Sequence, residues 1–222
     1  VYKRQLLKQY DKNLKKYIKN RVGFLAMESL DGCNWRRDEY KEYKANRPKN
    51  SDIYSYFCYL LHDFLPKFVE KNNNCALLHR AGSEADDLIA LKVYELQKQS
   101  VPEIRIISVD TDFLQLVELN NTVRMYDATE KLKSDKPLIG QAYLKRKIVF
   151  GDTADNIKPI FTGKGCSQKK LLLVEKLNSI HNLHELVAGF LTIWGPNVLT
   201  YPLVCCAASL LYIVFTICKC IC

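Results

Sequence analysis

Two apolar runs that each stop on an aspartate constrain this chain most: Val22–Leu30 leads into Asp31, and Ile104–Val109 into Asp110. Runs of this kind between polar turns read as buried strands. Ala76–His79, after the Asn72-Asn73-Asn74 turn, and Thr122–Tyr126 supply two more. Helical patterns lie between them. Residues 2–20 place Leu6, Leu7, Tyr10, Leu14, Tyr17 and Ile18 at helical spacing among lysines. Ser51 can cap a helix through about Lys71, with Tyr54, Phe57, Leu61, Phe64 and Phe68 on one face. Pro66 inside that pattern should kink it or split it. Ser83–Gln99 and Ile139–Phe150 are further helices, with a short one over Asp112–Leu116. Residues 34–50 have no apolar period and read as a mobile segment or a loosely packed helix. Strands alternating with helices predict a largely parallel sheet wrapped by helices. Ligands of such sheets meet the carboxyl ends of the strands, so Asp31 and Asp110 are expected at that edge.

Charge gives those aspartates a context. The chain has 33 Lys+Arg against 24 Asp+Glu, for a net charge of +9. Eight of the acids sit in short clusters: Asp31; Glu84, Asp86 and Asp87; Asp110 and Asp112; Asp152 and Asp155. A basic protein with one acidic focus is suited to holding a polyanion beside metal ions. Each cluster also has a local explanation. Ser83 and Asp86 can form a capping box, Asp112 can cap a helix, and Gly151–Asn156 can be a plain turn. None of these needs three acids in four positions, with Glu84 and Asp87 on one helical face. An oxygen-only donor set favours Mg²⁺ or Mn²⁺ over zinc.

Two basic segments accompany the acids. Trp35-Arg36-Arg37 through Tyr40, Tyr43, Lys44 and Arg47 combines phosphate-binding charges with aromatic surfaces. An exposed helix of alternating charge explains it equally well. Gly163-Lys164-Gly165 through Lys169-Lys170 brings backbone N–H groups to the start of an apolar helix, though not at the spacing of a nucleoside-triphosphate loop. The alternative is a capped helix with surface lysines. Cys33, Cys58, Cys75 and Cys166 are scattered without zinc-ligand spacing and read as reduced; five more crowd the end. Val198–Cys218 carries no charge. A membrane span there ranks below a translated non-coding stretch. No signal peptide is visible, and the chain opens at Val1 directly in a helical pattern.

Taken in order, four segments resemble the 5′-nuclease superfamily of flap endonucleases and 5′–3′ exonucleases, including bacteriophage RNase H-type enzymes. They are Asp31 with Trp35-Arg36-Arg37 and Tyr43–Arg47; Glu84–Asp87; Val109–Asp112; and Gly151–Ile157. The resemblance implies an α/β fold: a PIN-like, mostly parallel sheet flanked by helices over residues 1–150. A helix–hairpin–helix-type DNA-binding motif would follow at 151–188, and an apolar Cys-rich tail at 189–222. It further implies that Asp31, Glu84, Asp86, Asp87, Asp110, Asp112, Asp152 and Asp155 hold two divalent ions, Mg²⁺ or Mn²⁺. Lys44 and Arg47 match a helical arch near the scissile phosphate and would stabilise charge there. Arg36, Arg37, Tyr43, Gly163, Lys164, Gly165, Lys169 and Lys170 would contact nucleic acid, with a K⁺ site at the hairpin. The family begins with a strand ending in another metal-binding Asp, so the first strand and that ligand are expected to be missing here.

The implied function is metal-dependent phosphodiester hydrolysis near 5′ ends or flaps of DNA, or of RNA in RNA–DNA hybrids, inside the cell and with no small-molecule cofactor. Two alternatives stay open: a paralogue that binds branched DNA without cutting, and a haloacid-dehalogenase-like phosphatase using the Asp-x-Asp as nucleophile.

Overall fold

A computed structural model describes residues 2–29, 34–47, 51–117, 122–133 and 138–159. In chain order its elements are α1 (Tyr2–Tyr17), β1 (Gly23–Ala26), α2 (Trp35–Glu39), α3 (Ser51–Tyr59), a π-helical turn (Leu60–Phe64) and α4 (Leu65–Glu70). Then come β2 (Cys75–Leu78), α5 (Ala85–Lys98), β3 (Ile104–Ile107), a 3-10 turn (Thr111–Leu116), β4 (Val123–Tyr126) and α6 (Gly140–Phe150). They fall into two compact units. One draws on Val1–Trp35 and Pro48–Leu96, the other on Arg36–Arg47 and the chain from Gln97 onward.

In the first unit β1 and β2 pair in parallel, from Gly23 opposite Cys75 to Ala26 opposite Leu78. A side chain at Gly23 would bring its Cβ to 2.5 Å from Ile18 Cγ2, so glycine lets the end of α1 close over the strand. Asn74 fixes that junction by donating to the carbonyls of Ile18 and Arg21, both at 2.8 Å. The core joins Leu14 and Ile18 with Met27, Leu60, Leu61, Leu65, Phe68 and Cys75. Burying each large apolar side chain contributes about 1.5–3 kcal/mol.

The disturbance expected at Pro66 takes the form of a break into α3 and α4 with a π-helical turn between them. Leu65 N–H reaches back five residues to the Leu60 carbonyl, a π-helical turn lying just ahead of the proline. The extra residue shifts the helical phase. Leu60, Leu61, Leu65 and Phe68 are buried, whereas Tyr54, expected on the same face, is 55% exposed. The expected capping box also moves by one residue. Helix α5 starts at Ala85, and the Asp87 carboxylate, not Asp86, accepts from the N-cap Glu84 N–H at 3.1 Å.

In the second unit β3 and β4 pair in parallel, Ile104 with Val123 through Ile107 with Tyr126. Burial alternates along both, with Ile104, Ile106, Val123 and Met125 inward. The 3-10 turn after β3 buries Phe113, Leu114 and Leu116 and packs against α6. All four strands and their parallel pairing agree with the α/β expectation.

Cys58 and Cys75 are free thiols, and burial pushes the Cys75 thiol up. Among the described residues no helix is long and apolar enough to cross a membrane. The 198–218 run, Asp31, Gly163, Lys164, Gly165, Lys169 and Lys170 lie outside the described residues, as does most of the 151–188 motif.

Candidate metal centre

In the second unit, Asp112, Asp152 and Asp155 each offer a carboxylate oxygen, and the three oxygens lie within 4.8 Å of one another. Local structure brings each one there. Asp110 ends the extended segment after β3 and caps the 3-10 turn, accepting from Asp112 N–H at 2.9 Å. The cap expected of Asp112 is therefore made by Asp110, which leaves the Asp112 carboxylate for the cluster. Helix α6 closes where Gly151 N–H donates to Lys147 O, and Gly151 takes φ +74° and ψ −174°. Asp152 and Ile157 then exchange backbone hydrogen bonds at 2.8 and 2.7 Å, making 152–157 a closed turn. Asp152 Oδ1 accepts from Ala154 N–H at 2.9 Å.

The lysine of that helix end completes the cluster. Lys147 Nζ donates to Asp112 Oδ1 and lies 2.6 Å from Asp152 Oδ2. Burial pushes the Asp112 carboxyl up, with Asp110 and Asp152 adding to the effect and Lys147 opposing it. Burial works the same way on Asp152, but there Lys147 and the N–H groups of Ala154 and Asp155 win and hold it down. Burial disfavours charge on Lys147 too, yet its two carboxylates hold its pKa above the ordinary lysine range.

Asp155 faces a different set of partners. Its Oδ1 pairs with Arg47 Nη2 at 2.8 Å and its Oδ2 accepts from Tyr43 Oη at 3.2 Å. Lys44 N–H donates to Asp155 O at 3.0 Å, Asn46 Nδ2 to Thr153 O at 3.1 Å, and Asn156 Nδ2 to Glu42 O at 2.9 Å. Residues 40–47 are thus bound to the acidic turn rather than loosely packed. Tyr43, expected to contact nucleic acid, is 6% exposed and offers no stacking face. Its ring carries Arg36 and Lys44 at 5.9 and 4.9 Å. Lys44 holds a left-handed backbone, φ +53°. Arg37 is exposed on α2, and the Arg47 side chain is 54% exposed.

The first unit holds the other described acids. Glu84 and Asp87 are buried at 5% and 9% exposure, with Asp86 half-buried beside them on α5. Asn34 Nδ2 donates to Glu84 Oε1 at 2.6 Å, and Trp35 Nε1 to Asp87 Oδ2 at 3.4 Å. Trp35, expected as a stacking surface, thus orients a carboxylate.

The structure therefore gathers Asp112, Asp152 and Asp155 and keeps Asp110 as the cap that orients one of them. Lys147, Asn46 and Asn156 were not foreseen. The available signal for Lys147 was a lysine in the last helical turn before Gly-Asp.

Short parallel strand pairs between helices define an α/β protein, the architecture that the resemblance to the PIN-like class implies. The model of the family "5′-3′ exonuclease, N-terminal resolvase-like domain" matches residues 4–148, and the chain belongs to this family. It is 29% identical over 189 residues to a 5′-3′ exonuclease of Buchnera aphidicola subsp. Acyrthosiphon pisum, covering 81% of this chain and 62% of that protein. It is 29% identical over 143 residues to a 5′-3′ exonuclease of Mycoplasmopsis pulmonis, covering 62% and 46%. The chain thus spans less than two thirds of the length of these relatives. Among solved structures, bacteriophage T5 5′-exonuclease with bound zinc superposes with TM-score 0.60 at 16% identity, covering 95% of this chain and 82% of that one. A bacteriophage T5 flap endonuclease complex with DNA and metal ions gives 0.52 at 15%, covering 96% and 85%.

Proposed function

We propose that this chain is the nuclease part of a divalent-metal-dependent 5′–3′ exonuclease or flap endonuclease acting on DNA inside the cell. The observation that carries this is the three-carboxylate cluster, found in a chain of this family. Its residues fit a hard divalent cation: the donors are all oxygen, and an ammonium already lies between two of them. Asp112, Asp152 and Asp155 would hold one such ion, Mg²⁺ or Mn²⁺. Asp31, Glu84, Asp86, Asp87 and Asp110 are proposed as the other metal ligands, for two ions in all. Bound there, these ions would supply Lewis acidity to an attacking water and to the phosphate oxygens.

This chain's own residues do the rest. Asn34 and Trp35 orient Glu84 and Asp87, and the Asp110 cap orients Asp112. Lys44 and Arg47 are proposed to stabilise charge on the scissile phosphate. Arg36 and Arg37 would bind backbone phosphates without reading bases. The proposal extends to a duplex grip at Gly163–Lys170 with K⁺, to the 151–188 motif, and to RNA–DNA hybrids as substrates.

The test is cleavage of a 5′-flap DNA with Mg²⁺ by the natural full-length protein. Asp112→Ala and Asp152→Ala should each lower the rate by about 10² or more. Tight flap binding with no turnover at any Mg²⁺ concentration would identify a binding paralogue instead. Hydrolysis of small phosphomonoesters but not DNA would restore the phosphatase alternative.

A further inference from the structure

Two cations of the chain itself pair with the three clustered carboxylates and offset two of their three charges. Lys147 bridges Asp112 and Asp152, and Arg47 pairs with Asp155 at 2.8 Å. An ammonium reaching two carboxylates at metal-ligand spacing does what a bound cation does: it cancels their repulsion and fixes their separation. Both cannot hold the same oxygens. Lys147 has somewhere to go. It also lines a cavity of about 500 Å³ bounded by Thr111, Tyr143, Arg146, Phe150 and Leu114. There the hydroxyls of Tyr143 and Thr111 meet at 3.1 Å and can receive a lysine head group. The lysine sits in the last turn of α6, where a cation complements the helix C-terminus, so it stays tethered to the site after release.

We propose that Lys147 is a tethered counter-ion of the metal centre, holding Asp112 and Asp152 in metal-binding geometry until a divalent ion displaces it into the adjoining cavity. Lys147 is a positioning residue in the metal-free protein and a mobile cation beside the site once metal binds. The inference rests on the proposed metal role of Asp112 and Asp152.

Two readouts, neither of them turnover, test it. The first is acetylation of Lys147 in the wild-type protein, followed by mass spectrometry with and without saturating Mn²⁺. Release of the ammonium should raise its acetylation rate about tenfold, while Lys15, paired with Asp11 at 2.7 Å on the solvent side of α1, serves as the unchanged reference. The second is Mn²⁺ titration. Lys147→Met, lacking the competing cation, should bind Mn²⁺ about tenfold tighter than wild type. Lys147→Arg, which keeps a cation, should stay near wild type. In metal-free buffer Lys147→Met should melt about 3 °C or more below wild type, and Mn²⁺ should close that gap. Mn²⁺ binding that Asp152→Ala abolishes, with Lys147 acetylation unchanged and Lys147→Met no tighter than wild type, would overturn the counter-ion inference and leave the metal site standing. Mn²⁺ binding untouched by both Asp112→Ala and Asp152→Ala would overturn the inference and the metal assignment together.

Discussion

At the residue scale, Gly151 decides whether Asp152 reaches the cluster. Its φ of +74° with ψ of −174° belongs to a region that only glycine occupies readily. A Cβ there would lie 2.6 Å from Ile157 O and Pro159 N and 2.7 Å from Lys158 C, all of them backbone atoms that cannot swing away. Gly151→Ala should therefore cost at least about 1–3 kcal/mol in stability, read as a lower denaturant midpoint. It should also weaken Mn²⁺ binding about tenfold or more, because the turn that aims Asp152 must open. Wild-type metal affinity in that variant would show that the turn does not position the ligand. In the sequence Gly151 is one member of a polar turn. Its special role depends on Ile157, Lys158 and Pro159 folding back over it, and local spacing does not encode that. The Asp110 cap is different. Asp followed two residues later by another acid ahead of a short helix is readable, but which of the two caps is settled only by where β3 stops.

At the element scale, strands and helices were the legible part. β1, β3 and β4 fall inside the apolar runs, β2 starts one residue ahead of its run, and α5 and α6 lie within a residue or two of their patterns. The π-helical turn was not legible. Pro66 announces a disturbed helix, but whether the chain kinks or widens depends on how Leu60, Leu61 and Leu65 settle into the core. The order of residues 40–47 is hidden from local patterns for a related reason: their partners Thr153, Asp155 and Asn156 are more than a hundred positions away. The loop after β4 offers a pH test of element stability. Asp127 Oδ1 accepts from Thr129 Oγ1 at 2.6 Å, from Thr129 N–H at 2.9 Å and from Lys131 N–H at 3.0 Å. These bonds, the Thr129 hydroxyl foremost, hold its carboxyl well below the usual carboxylate range. A depressed pKa means the fold favours the carboxylate. Its contribution is present above the unfolded value of about 3.9 and is lost as pH falls through the folded value. Asp127→Asn should thus be less stable than wild type at pH 7, and the gap should shrink progressively below about pH 4. Urea midpoints taken at several pH values check this, and a gap independent of pH would contradict it.

At the scale of the whole molecule, charge makes the prediction. With 33 basic side chains against 24 acidic ones, much of the affinity for a nucleic-acid partner should come from released counterions. Raising salt from 50 to 200 mM should weaken 5′-flap DNA binding in EDTA by about 10³, as expected for six or more phosphate contacts. Fluorescence anisotropy measures this, and a flat response would argue against a phosphate-tracking surface. Family membership was legible because four acidic segments keep their order along the chain, whereas each of them alone is explained by a cap or a turn. The parallel pairing of β1 with β2 also has a consequence for biogenesis. Gly23 finds its partner only at Cys75. A ribosome adding about 5–20 residues per second needs roughly 3–10 s to supply that partner. During that interval β1 lacks β2, so a chaperone that shields apolar nascent segments would find its opportunity there.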